Sequence, residues 1–408
     1  MQIFEGIKVL DFTWVGVGPI ATKSLADHGA TVVRVESHTK PEIIRVAPPF
    51  KDGIPGIDRS GFTANYNSSK YGISLNLNHP RGREIVRRFL VEWKPDIMAE
   101  SFAPGTMEGW ELDYQHVKEL RPDIIYFSAS MQGHFGPNRG YVGFGVHMAT
   151  LGGFTHITGW PDRLPAMPYG AYTDFIACFY GAIVLAAALD YRRKTGKGQY
   201  LDLSQLECGI QFLVPPLLDY VANGRELCRM GNRDPHAAPH GVYPCKGEDR
   251  WCCIAVSTEE EWQAFCNVLG CPEWTKDPKF TTFLARKENE DELDRLVAEW
   301  TQDFTAEEVM TLMQANGIPA GVVETPEDLY NDPQIEHRGF FTLLNHSEMG
   351  PHHYDGLSFH LSKTPGKLRM PAPCLGEHNE YVYKEFLGLS DEEIADLIAD
   401  GAITTYAI

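Results

Sequence analysis

Over its first 200 residues this chain alternates between strand-like and helix-like patterning, and few folds accept that alternation. Residues 7–12 (IKVLDF) read as a strand, and 19–29 (PIATKSLADHG) as a helix with Pro19 near its start and Gly29 at its end. Residues 30–36 (ATVVRVE) are the next strand. An amphipathic helix at 80–93, a strand at 95–101, a helix at 114–121 and a strand at 123–130 follow. Strands separated by helical crossovers pair side by side in one direction, so the pattern predicts a parallel sheet with helices on both faces. The stretch 37–66, rich in Pro, Gly and Asp, reads as a long loop over a site.

From about residue 225 the texture changes. HGVYPCKGEDRWCCIAVS (240–257) reads as a hairpin turning at Lys246–Asp249, with Cys252 and Cys253 on opposite faces. Acidic helices and one more strand follow, as in a smaller α+β domain. After about 330 the chain becomes loop and strand, and a last helix starts at Ser390 with Glu393 at capping-box spacing.

At 408 residues the chain is too long for one simple core, so two domains are expected. Its 36 Lys and Arg against 55 Asp and Glu give a net charge of −19. That balance argues against nucleic acid and against an anionic membrane surface. The N-terminus has no basic region followed by an apolar one, so no secretory signal is expected. The longest apolar run, Phe175–Leu189, reads as a buried helix too short to span a bilayer. Nine scattered cysteines without zinc spacing fit a reducing cytoplasm, and no metal site is expected.

GVGPIA (Gly16–Ala21), with Glu36 after the second strand, imitates a dinucleotide fingerprint. Asp11, Thr13 and Trp14 interrupt the apolar strand that such a fingerprint needs. Gly16 and Gly18 therefore read as points of close backbone approach at a helix start. No GxSxG, HExxH or Walker lysine motif occurs. RRKTGKG (Arg192–Gly198) reads as a solvated, cationic helix end. Asp174 precedes the apolar run as its only nearby charge. It, or Thr173, is either the cap of the following helix or a carboxylate kept for chemistry.

Several segments in order carry a resemblance. They include GIKVLDFTWVGVGPIATKSLADHGATVVRVES, NSSKYGISLNLNHPRG, PDIMAESFAPG, SASMQGHFGP, ATLGGFTHITG, YRRKTGKGQYLDLSQLE, GIPAGVV, NDPQIEHRGFF and PAPCLGEHNEYV. From about residue 5 to 400 the chain resembles the family III CoA-transferases, the formyl-CoA:oxalate and carnitine CoA-transferase group. The resemblance implies an α/β fold: a Rossmann-like large domain with a parallel sheet, plus a smaller α+β domain. It implies divisions at 1–222, 223–330 and 331–408, the last returning to the large domain. It further implies an interlocked dimer, as a homodimer or as a heteromer with a related chain. Asp174 takes the place of the family's nucleophile, which exchanges CoA through an aspartyl-CoA thioester and mixed anhydrides. Coenzyme A thioester is then a substrate, and no tightly bound cofactor is implied.

The sequence departs from the formyl-CoA branch at several points. Phe144 and Gly145 replace a Tyr-Glu pair, Gly16 replaces a glutamine, and Ala237–Gly241 replaces a flexible glycine-rich loop. Ser37 and Ala103 replace basic CoA contacts. Candidate substrate or CoA contacts are Trp14, Val15, Gly16, Ser101, Phe102, Ala103, Met131, Phe144 and His240, with Arg34, Lys70, Arg139 or His38 as cations. The more apolar pocket points to a bulkier acceptor, such as benzylsuccinate, with succinyl-CoA as donor. Two rivals are an α-methylacyl-CoA racemase, for which His147 is the nearby base, and a non-catalytic CoA-binding partner of a sister chain.

Overall fold

The computed structural model describes residues 1–404. Its centre is a six-stranded sheet: β1 (Lys8–Phe12), β2 (Thr31–Glu36), β3 (Tyr71–Ser74), β4 (Ile97–Glu100), β5 (Ile125–Ser130) and β6 (Gln199–Ser204). Their order in space is β3-β2-β1-β4-β5-β6, and all neighbours run parallel. This is the doubly wound arrangement, in which the order reverses between β1 and β4. The crevice beyond the carboxyl ends of those two strands is where such a sheet receives ligands.

Two of these strands escape the sequence reading. β3 is four residues long and contains Gly72, whose Cβ would meet Pro373 at 2.6 Å. β6 follows directly on the cationic turn, and its tyrosine and aspartate break the apolar run. Neighbouring strands, not local propensity, pull both into the sheet.

Helix α1 (Val17–Asp27) begins two residues before Pro19. Short α2 (Gly145–Leu151), long α3 (Tyr172–Thr195) and short α4 (Gln205–Ile210) matter for the site. α3 has 24 residues. That corrects the expectation of a run too short to span a bilayer: by length and mean hydropathy of 1.7 it passes for a crossing helix. One face of it packs against α1, α2, α4, β5 and β6. Gly181 permits this, since a Cβ there would lie 3.0 Å from Ala21 and 3.2 Å from Phe127.

The chain forms two compact units. The first holds residues 1–155, 167–226 and 334–408, so the C-terminal stretch rejoins the sheet domain. There the hairpin β10 (Phe341–His346) and β11 (Gly350–Asp355) precedes two helices, and Val382, Tyr383, Ile394 and Leu397 from these join the sheet's core. The second unit holds 156–166 and 227–333. The sequence reading left 156–166 in the large domain. The second unit is α+β: β7 (His240–Pro244), β8 (Trp251–Ala255) and β9 (Ala320–Val322) form an antiparallel sheet over a core with Trp262, Phe265 and Val309. Cys252 is buried and Cys253 exposed, as strand alternation requires.

Candidate active site

The first turn of α3 puts Asp174 at its third position, behind an N-cap at Ala171 that offers no side chain. Neither Thr173 nor Asp174 is therefore the cap, which corrects that reading. The positive end of α3 still faces the carboxylate. Asp174 is only 7% exposed, and burial raises its carboxyl from the ordinary 3.8 to about 6. Two glycines make room for it. A Cβ on Gly16 would lie 3.1 Å from Oδ1, and one on Gly145 would overlap Oδ2. Among the described residues its side-chain donor is Gln205, whose Nε2 lies 2.8 Å from Oδ2 and 3.0 Å from Thr173 Oγ1. The Thr173 hydroxyl donates in turn to the Gly145 carbonyl at 3.0 Å.

Asp174 forms part of the wall of a cavity of about 240 Å³ at the switch point of the sheet. The loop after β1 gives Trp14, Val15 and Gly16; the loop after β4 gives Ser101, Phe102 and Ala103; the end of β5 leads to Met131. Arg139, Tyr141, Val142 and Phe144 close another side. The two strand-end loops are tied together: the Trp14 N–H donates to Ser101 Oγ at 2.7 Å, and Trp14 meets Phe102 edge-on at 5.4 Å. The Phe102 N–H donates to buried Glu100 at 2.8 Å. A second cavity, of about 390 Å³, shares Trp14, Phe102 and Ala103 with the first and extends past Ser37, Lys40, Asn78 and Trp110.

Val15 has φ 67, a left-handed conformation that a β-branched residue adopts only under constraint. The constraint is Glu42, whose carboxylate accepts the Val15 N–H. Glu42 is paired with Arg34, which also donates to Glu36 at 3.0 Å and to the Thr13 carbonyl at 2.9 Å. Arg34 is wholly buried, so it is not a cation offered to CoA; it braces the loop that lines the cavity. Lys70 is likewise no ligand contact. Its ammonium is buried against Asp11, Thr22, Asn67 and the Pro19 carbonyl, all within 3.0 Å, and burial lowers it to about 8. Glu36 is claimed by Arg34 and Arg45, which removes the acid that a dinucleotide ribose would use. Gly18 abuts Thr13 rather than open space, so it serves packing.

A family model described as CoA-transferase family III matches residues 4–379. The chain belongs to that family. It is 30% identical to a succinyl-CoA–D-citramalate CoA-transferase of Chloroflexus aurantiacus, over 98% of both chains. It is 29% identical to a succinyl-CoA:glutarate CoA-transferase of Mus musculus, over 99% of this chain and 91% of that one. A crystal structure of a CAIB/BAIF family protein from Brucella suis superposes with a TM-score of 0.86 at 29% identity, covering 94% of this chain and 99% of that one.

Among the sequence candidates, this CoA-transferase gathers Trp14, Val15, Gly16, Ser101, Phe102, Ala103, Met131, Arg139 and Phe144 around Asp174. Arg139 is engaged in no ion pair among the described residues. His240 opens β7 in the second unit, with Nδ1 2.6 Å from the Asn232 carbonyl. His147 Nδ1 accepts the Phe144 N–H at 3.0 Å and so caps α2. Gln205 was not singled out from the sequence, because β6 and α4 had to be in place before a glutamine 31 residues downstream could reach Asp174. Among the described residues no cluster of His, Cys, Asp or Glu is placed to hold a metal.

Proposed function

We propose that this enzyme moves CoA from succinyl-CoA to a second dicarboxylic acid, with Asp174 as the nucleophile. One observation carries the reading: a single buried carboxylate, raised to about 6 yet ionised at neutral pH, stands in a narrow, mostly apolar cavity. A desolvated carboxylate is a stronger nucleophile than a hydrated one. Its oxygen attacks the donor thioester carbon, the C–S bond breaks, and CoA leaves as thiolate. The thiolate attacks Asp174 Cγ, succinate departs as carboxylate, and an aspartyl-CoA thioester remains. The acceptor carboxylate attacks Cγ, forming a second anhydride and freeing the thiolate again. The thiolate then takes the acceptor's acyl carbon, and Asp174 is restored. No proton moves in any step, so no histidine is needed beside Asp174. The racemase alternative requires two proton-transfer groups; Phe144 is not one, and the nearby His147 has its Nδ1 accepting the Phe144 N–H.

The donor follows the two relatives named for succinyl-CoA. For the acceptor, Arg139 supplies a cation for a remote carboxylate, while Trp14, Phe102, Tyr141, Val142 and Phe144 favour an apolar or aryl body, as in benzylsuccinate. The nucleotide of CoA is placed in the adjoining cavity, where Lys40 is the cation and Trp110 an aromatic wall. Nine cysteines without a disulfide support a reducing, cytoplasmic setting. The test is mass spectrometry after incubation with succinyl-CoA and borohydride, followed by a panel of acids. Modification at Asp174 and preference for substituted dicarboxylic acids are expected. Turnover with an unmodified Asp174, or a preference for oxalate over every such acid, would overturn the assignment.

A further inference from the structure

We infer that Gln205 is a catalytic residue for this transfer: its side-chain amide stabilises the oxyanion that develops on Asp174 itself when Cγ is attacked. The inference rests on the aspartyl-CoA reading above. Two of its four steps pass through a tetrahedral Cγ, one when thiolate attacks the first anhydride and one when the acceptor attacks the thioester. In each, a Cγ–O double bond opens and a full negative charge gathers on one oxygen. In the resting carboxylate that charge is shared between Oδ1 and Oδ2. A donor fixed on Oδ2 therefore binds the tetrahedral species more strongly than the planar one, which is the condition for rate enhancement.

The geometry is built for this. Gln205 Nε2 is 2.8 Å from Oδ2, within the range of an effective oxyanion donor. Its orientation is fixed by neighbours. Thr173 Oγ1 gives its hydrogen to the Gly145 carbonyl, so only its lone pairs face Gln205, and the amide must turn its nitrogen that way. The nitrogen's second hydrogen is thereby aimed at Asp174. Gln205 is buried, and its backbone is anchored where β6 ends under the Ser204 cap of α4. No reorganisation is then required at the moment of reaction. The donor is also neutral. An Arg or Lys in its place would hold the carboxylate low and weaken it as a nucleophile. With Oδ2 occupied, Oδ1 beside Gly16 is the oxygen left to attack the donor.

The experiment uses the full chain carrying Gln205→Leu, loaded with succinyl-CoA until the Asp174–CoA adduct is seen by intact mass, then mixed with the acceptor acid. Discharge of the adduct is expected to slow by about 10²–10³-fold against wild type, the usual loss for one oxyanion donor. A residue that merely holds Asp174 before acylation would slow loading but leave discharge unchanged. Loading also passes through a tetrahedral Cγ and is expected to slow with it, so discharge is the deciding readout, and discharge at the wild-type rate overturns the inference. Gln205→Met, matched in length without a donor, is expected to behave as Leu does; recovery of wild-type discharge in it would also overturn the inference. A wild-type enzyme that exchanges CoA without ever carrying the adduct would instead sink the aspartyl-CoA reading.

Discussion

At Asp174, the proposed nucleophile, a buried carboxylate costs stability at neutral pH. Its carboxyl is raised to about 6 by burial, with the Gln205 hydrogen bond pulling the other way. The folded state thus holds that proton more tightly than the unfolded chain. The stability linked to this group is complete below about pH 4 and is lost as pH rises through about 6. Asp174→Asn should therefore abolish CoA exchange while raising unfolding free energy at pH 7 by about 3 kcal/mol, from two units at 1.36 kcal/mol each. Denaturant titration at pH 7 and pH 4 checks this, with the gap closing at the lower pH. A variant less stable than wild type at pH 7 would contradict it. The wild-type rate should also rise with pH along a limb centred near 6, since the ionised form attacks.

The element that matters beyond α3 is the loop between β1 and α1. Val15 holds its left-handed backbone because Glu42 and Arg34 make a buried brace beneath it. Removing Glu42 takes one of the two carboxylates from buried Arg34, leaving only Glu36, and strips the Val15 N–H of its acceptor. Glu42→Ala should cost about 3 kcal/mol and lower kcat/KM as Trp14 and Gly16 drift from Asp174. Calorimetry with steady-state kinetics tests both effects, and a variant matching wild type in both would refute the brace. Arg34 is the instructive miss. It stands among the candidate cations because Ser37 and Ala103 replace the usual basic CoA contacts, but it lies within β2, and a parallel strand buried on both faces requires its arginine to be paired internally.

At the scale of the molecule, α3 leaves one apolar edge uncovered. Phe175, Phe179 and Ile183, at four-residue spacing, are exposed to 41%, 57% and 65%. With Phe4, Phe340 and Phe359 they line a groove of about 510 Å³ within the first unit. Apolar patches of this kind occur at interaction sites, and we propose a second copy of the chain as its occupant. Ile183→Lys is then expected to shift sedimentation from dimer to monomer. A wild-type monomer, or assembly only with a related chain, would exclude the homodimer.

The order of segments along the chain sufficed for the family, the parallel sheet and the smaller α+β unit. Those properties follow from local periodicity and from motifs a few residues long, which a linear sequence displays directly. Where Asp174 lies in its helix, that Arg34 and Lys70 are internal cations, and that Gln205 reaches Oδ2 were decided only by the tertiary structure. Each depends on which charges meet across 8 to 59 residues, and burial makes that pairing a property of the folded sheet, not of any one segment.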